Sequence, residues 1–291
     1  MGSMLAVTSP GKGDEEPHMQ DPQPVNMAGT GDDGGTPSPP LPWQVIGVVP
    51  VTGKGLLSCS TSASPAGPVA AVFRHDGTDG SRNFAKWVRK TLKNGPTLLC
   101  WDAPLTSAEF QLRSIERQAR QWLRDLFAPD NHSRPIIRSA AARPHWIATQ
   151  RILGLPVHEG MVIRGSLLQP RLICENQRPS AARRELYVTE VHPQLAIALH
   201  PAGRGIPWYR DNLETAWNYH LQAARLWGLG EDDLPLPHAA KLRTHDFTDA
   251  WVAMALGVLW LRGSGAAITG NRREGSFLLP HLASAPPKPQ D

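Results

Sequence analysis

From Pro42 onward the chain breaks into short apolar runs separated by Gly, Pro and Ser, then into longer runs with helical spacing. Gln44–Val51, Gly55–Ser60 and Val69–His75 predict three short strands joined by turns, in an antiparallel meander. Within Asn83–Lys93, the residues Phe84, Trp87, Val88 and Leu92 share one helical face, and Asn94-Gly95-Pro96 ends that helix. Thr97–Trp101 is a short apolar run, as in a strand buried on both faces. Ser107–Phe127 predicts a long amphipathic helix. Ile115, Ala119, Trp122, Leu123 and Leu126 line one side of it; Arg113, Arg117, Arg120 and Arg124 lie largely elsewhere. A helix is expected over 140–153, inside an insertion at about 129–180. Glu185–His192 reads as a strand closed by Pro193, and helices are expected at about 209–228 and 246–262. The order predicts an α/β protein whose mixed sheet, a meander plus parallel strands, is flanked by helices.

Composition narrows the class without naming a function. The 291 residues are 41% hydrophobic and 19% charged, which excludes a wholly disordered chain, a collagen and a coiled coil. The formal net charge of +4 hides a split. Residues 1–41 carry one Lys and six acids and predict a disordered acidic tail; the rest of the chain stands at +9. Residues 42–283 then form the folded domain, and 284–291 a second, Pro-rich tail. A basic body admits nucleic acid as a partner. Cys59, Cys100 and Cys174 show no CxxC spacing, so neither a zinc site nor a disulfide framework is indicated; reduced thiols are expected. The longest apolar run, Ala250–Leu261, is shorter than the roughly 20 residues a bilayer span needs. A cytoplasmic protein without membrane contact is expected.

The candidate chemistry is acidic. Asp102 ends the apolar run Thr97–Trp101, Glu190 lies near the end of another strand, and Asp246 and Asp249 open the last helix. Ligands of open α/β sheets bind beyond the carboxyl ends of strands. Three residues apart, Asp246 and Asp249 share a helix face. Ala250, Ala253 and Gly257 continue that face with small side chains that let the helix lie close on a sheet. Clustered carboxylates suit a hard cation, Mg²⁺ or Mn²⁺, and two such ions support phosphodiester hydrolysis. Each acid also has a plainer reading. Asp246 or Asp249 serves as a helix cap, Asp102 opens a turn before Pro104, and Glu190 pairs with one of the many Arg residues.

Five segments resemble, in order, a predicted RNase H-like nuclease family catalogued as a domain of unknown function. They are Trp101-Asp102-Ala103-Pro104-Leu105, Leu112–Glu116 with Arg120, Glu190-Val191-His192-Pro193-Gln194, His245–Ala250 and Asn271–Pro280. The matches span about residues 44–280. The resemblance implies an RNase H-like fold and metal-dependent nuclease or phosphodiesterase activity. Asp102, Asp246 and Asp249 would hold the cation, and Glu190 would be a further ligand or an outer group.

One position departs from that pattern. The first strand of this superfamily usually presents an Asp, and here Val49 stands in its place. Either Asp76 or Glu116 substitutes, or the site is weakened. Two readings follow: a nuclease acting on DNA or RNA, or a non-catalytic nucleic-acid-binding or protein-interaction module on the same fold. Gly53-Lys54-Gly55 is no phosphate loop, because Val48 and Gly55 break the required pattern.

Overall fold

The computed structural model describes residues 41–51, 55–64, 67–68, 72–77, 80–106, 112–126, 146–155, 165–199, 227, 229 and 245–281. The expected tails (apart from Leu41), most of the helix expected over 209–228 and parts of the insertion at 129–180 lie outside the described residues.

Strands β1 (Trp43–Val51), β2 (Gly55–Ser64), β3 (Gly67–Pro68) and β4 (Val72–Asp76) precede helix α1 (Ser81–Thr91) and strand β5 (Thr97–Trp101). Helices α2 (Ser114–Leu126) and α3 (Trp146–Leu153) follow, then β6 (Arg171–Leu172), β7 (Leu186–Glu190) and α4 (Pro193–Leu199). Helix α5 (His245–Arg262) and the hairpin β8 (Ala266–Asn271) and β9 (Gly275–Pro280) complete the described elements.

One mixed sheet has the order β3-β2-β1-β5-β7-β6, with β4 also pairing β2. The meander is present: β1, β2 and β4 run antiparallel in sequence. β5 lies parallel beside β1, and β7 parallel beside β5. Central strands buried on both faces have no polar side to show, which is why Thr97–Trp101 reads as one apolar run.

Alternation along the central strands separates two cores. Val45, Val49, Leu98, Cys100 and Tyr187 pack with α2, α4 and α5. Ile46, Val48, Leu99, Trp101 and Val188 pack with Phe84, Ala85 and Val88 of α1 and with Ile152 and Leu153 of α3. Helix α5 is buried on every side from Thr248 to Trp260, so it behaves as a central rod rather than a surface helix. The stripe of small residues does what its spacing suggests. A β-carbon on Gly257 would lie 2.5 Å from Cys100 Sγ and 2.7 Å from Val45 Cγ1.

Two helices differ from the sequence reading. Pro193 starts a helix instead of only closing a strand. Its missing N–H is no loss at the first helical position, and the Ala196 N–H donates to the His192 carbonyl at 2.9 Å. Helix α2 starts at Ser114, later than the expected Ser107, with Leu112 and Arg113 non-helical; 107–111 lie outside the described residues. No helix among the described residues is long and apolar enough to cross a membrane.

The cysteines are free and buried. Burial pushes the Cys59 and Cys100 thiols up from their ordinary 9.0; at Cys100 a hydrogen bond with the Gly257 backbone works the other way. A thiol raised in the folded state favours folding below its unfolded value and loses that contribution as pH rises. Native protein is therefore expected to resist a thiol reagent at about pH 8, while urea-unfolded protein reacts. Stability should decline as pH is raised past 9.0. Prompt native modification of Cys59 or Cys100 would contradict this.

Candidate functional site

The carboxyl ends of β5 and β7 lie level with Val48 of β1: Val48 pairs Trp101, and Trp101 pairs Glu190. Asp102 follows directly, its N–H donating to the Val48 carbonyl at 2.8 Å. The next rung of a parallel ladder would need an N–H at position 50, and Pro50 has none. The pairing of β1 with β5 ends there, beside Asp102, whose residue is 8% exposed.

Helix α5 brings its own acids to this end. A β-carbon on Gly47 would lie 2.0 Å from the Ala250 carbonyl oxygen, so the start of α5 sits against the upper part of β1. Gly257 meets Val45 lower down, so the helix runs antiparallel to the strand. Asp246 and Asp249 are thus carried toward the carboxyl end of β1. Asp249 is 0% exposed and is the fifth helical residue, past the positions that a cap occupies. Asp246 is partly exposed, with its Oδ1 3.4 Å from Nε2 of His245. Val49 occupies the same end of β1, buried and without a ligand atom.

Glu190 has a different fate. It is buried with Arg113 and Glu116, and Arg113 grips it through two bonds: Nη2 to Oε1 at 2.6 Å and Nη1 to Oε2 at 2.7 Å. Nη2 and Nε of Arg113 also donate to Glu116 Oε1 at 2.9 and 3.1 Å, and Nη1 donates to Thr106 Oγ1 at 2.9 Å. All five guanidinium donors are therefore used. The Leu105 N–H donates to Glu190 Oε2 at 2.9 Å. Glu116 Oε2 accepts the backbone N–H of Arg113, the returning half of a capping box, which starts α2. Burial works against the Arg113 charge, but Glu190 and then Glu116 outweigh it and hold the guanidinium above its ordinary range. Its carbon lies 5.6 Å from the Phe277 ring centre, and His192 meets that ring edge-on.

Of the plainer readings, pairing with Arg is therefore the one that describes Glu190. The network ties the end of β7, the start of α2 and the segment after β5 into one unit. That segment begins at Asp102, so Arg113 fixes the backbone that carries it.

Neither acid considered as a substitute for one at position 49 stands clear. Asp76 is held by Arg74 through two bonds of 2.6 Å, and Arg74 lies over Trp87. Glu116 belongs to Arg113. Among the described residues, no group of three or more His, Cys, Asp or Glu side chains is placed to hold a metal ion. Arg272 and Arg273 lie in the exposed turn of the β8–β9 hairpin, where the Asn271 side chain accepts the N–H groups of Arg273 and Glu274.

The sequence places Arg113 within the Leu112–Glu116 motif without showing its partner Glu190, and it gives Thr106 no role. The available signal was the Arg113–Glu116 spacing at an apolar helix start. No protein-family model, curated protein or solved structure matches the chain.

Proposed function

We propose that this chain is an RNase H-like hydrolase of nucleic-acid phosphodiesters, assisted by Mg²⁺ or Mn²⁺. The strand order β4-β2-β1-β5-β7, three antiparallel strands followed by two parallel ones, is compatible with that fold. The observation that carries the reading is the fully buried Asp249, on a core helix directed to the sheet end where Asp102 closes β5. Acids at the carboxyl ends of strands suit ligand chemistry.

The donor chemistry fits a hard cation, but not a cage built by the protein alone. Asp102 and Asp249 would hold it, with Asp246 beside them. Mg²⁺ commonly takes one or two carboxylates and completes its shell with water and substrate phosphate. When bound, such an ion supplies Lewis acidity at the phosphoryl group. The chain supplies the rest. Arg113 fixes the backbone after β5, Pro50 ends the pairing of β1 with β5, and Val49 keeps the floor apolar.

The test is cleavage of labelled DNA and RNA with Mg²⁺ or Mn²⁺. Asp102→Asn and Asp249→Asn should each reduce the rate by about 100-fold, equivalent to roughly 2.7 kcal/mol of transition-state stabilisation. Asp246→Asn should have the smaller effect, because that residue is partly exposed. Equal cleavage by Asp249→Asn and wild type would overturn the assignment.

One observation favours a second reading, a non-catalytic nucleic-acid-binding module. Asp76 and Glu116 are both committed to Arg partners, so neither makes good the carboxylate that Val49 lacks. That module would bind nucleic acid in a salt-sensitive way without turnover.

A further inference from the structure

We infer that the outer face of α1, extended by Arg151 of α3, is a docking surface for a nucleic-acid backbone. Arg82, Lys86, Arg89, Lys90 and Lys93 are all exposed. Their spacing keeps them on one side of the helix and its C-terminal turn, opposite the buried Phe84, Ala85 and Val88. There is no Asp or Glu from Ser81 to Trp101 and none in α3, where Arg151 is exposed. Both helices pack on the same core. Among the described residues, the exposed charges of these two helices are all basic, unlike α2, where Arg124 bonds Gln121 and Gln121 bonds Asp125.

Dimensions and chemistry favour a polymeric phosphate. From Arg82 to Lys93 the stripe spans about 16 Å at roughly 1.5 Å per residue. That matches about five nucleotide steps at 3.4 Å per strand. Arg89 also donates to the Leu167 carbonyl, which holds one charge of the row in place. A membrane surface fits poorly, because a helix that lies on lipid inserts its apolar face. Here that face is already packed into the core.

The placement links this surface to the candidate site. Asp76, just before α1, is level with Leu56, and Leu56 with Pro50. α1 therefore starts at the sheet end that carries Asp102 and runs back along the opposite face of the sheet from α5. A bound strand would be led away from that end. The inference rests on the nucleic-acid partner proposed above, but not on hydrolysis.

The experiment measures fluorescence anisotropy of labelled single-stranded DNA, single-stranded RNA and duplex DNA across a salt series. The Lys86→Gln/Lys90→Gln/Lys93→Gln variant should keep the wild-type melting temperature. Its slope of log K against log salt should be shallower by about 3 on duplex and about 2 on single strands. Arg117→Gln/Arg124→Gln on α2 should keep the wild-type slope. An unchanged slope in the lysine variant, or an equal loss in the α2 variant, would overturn the surface. Poly-glutamate competing as well as an oligonucleotide of equal charge would overturn the choice of nucleic acid. A wild type that binds no oligonucleotide would instead sink the nucleic-acid reading itself.

Discussion

Replacing Arg113 with Met is expected to cost the fold about 3–5 kcal/mol, the range for removing one partner of a buried ion pair. The reason lies in what stays behind. Glu116 and Glu190 are both buried, and Arg113 supplies the cation that both share. Thr106 Oγ1 loses its donor as well. Met fills similar volume, so lost packing contributes little. Arg113→Lys should be only a partial rescue, because a single ammonium has three donors and no planar fork. Glu116→Gln should be milder than Arg113→Met, since it leaves one guanidinium facing one carboxylate. Urea denaturation of the three variants checks the order. A stability of Arg113→Met within 1 kcal/mol of wild type would show that the network contributes little.

The same network shows what could be read in advance and what could not. β5 and α5 were legible because burial writes itself as an apolar run or as a small-residue stripe, and both signals are local. The acids at their ends were legible for the same reason. The partner of Glu190 was not. Arg113 lies 77 residues away, and the chain offers many Arg residues. Only the sheet register, which sets Trp101 beside Glu190, brings the segment after β5 and the start of α2 to that carboxylate. Helix α4 was hidden by its first residue, because Pro193 ends a strand and opens a helix equally well. Its six other residues, Gln194–Leu199, are too few to show a period. Hairpin β8–β9 offers only two three-residue apolar runs, Ala266–Ile268 and Phe277–Leu279, too short to show a period. Gly270 and Gly275 both take positive φ beside its tight turn, which the sequence signals only as glycine.

Gly47→Ala is expected to destabilise the protein by about 3 kcal/mol or more, at or above the upper end of ordinary overpacking. The new methyl would lie 2.0 Å from the Ala250 carbonyl oxygen and 2.5 Å from the Met254 nitrogen. Both are backbone atoms of α5, so no side chain can turn aside to make room. Either β1 or the helix must shift. The helix is encased from Thr248 to Trp260, so its shift disturbs the larger core. Gly77→Ala is the matched control. A β-carbon there meets nothing within 4 Å, and its stability should stay within about 0.5 kcal/mol of wild type. The pair also bears on function. Asp249 lies one residue before Ala250, so moving the helix off Gly47 moves that carboxylate relative to Asp102. If the two acids act together, Gly47→Ala should lose cleavage at temperatures where it remains folded, and Gly77→Ala should keep it. Full activity in folded Gly47→Ala would mean that the distance between strand end and helix start does not matter to the chemistry.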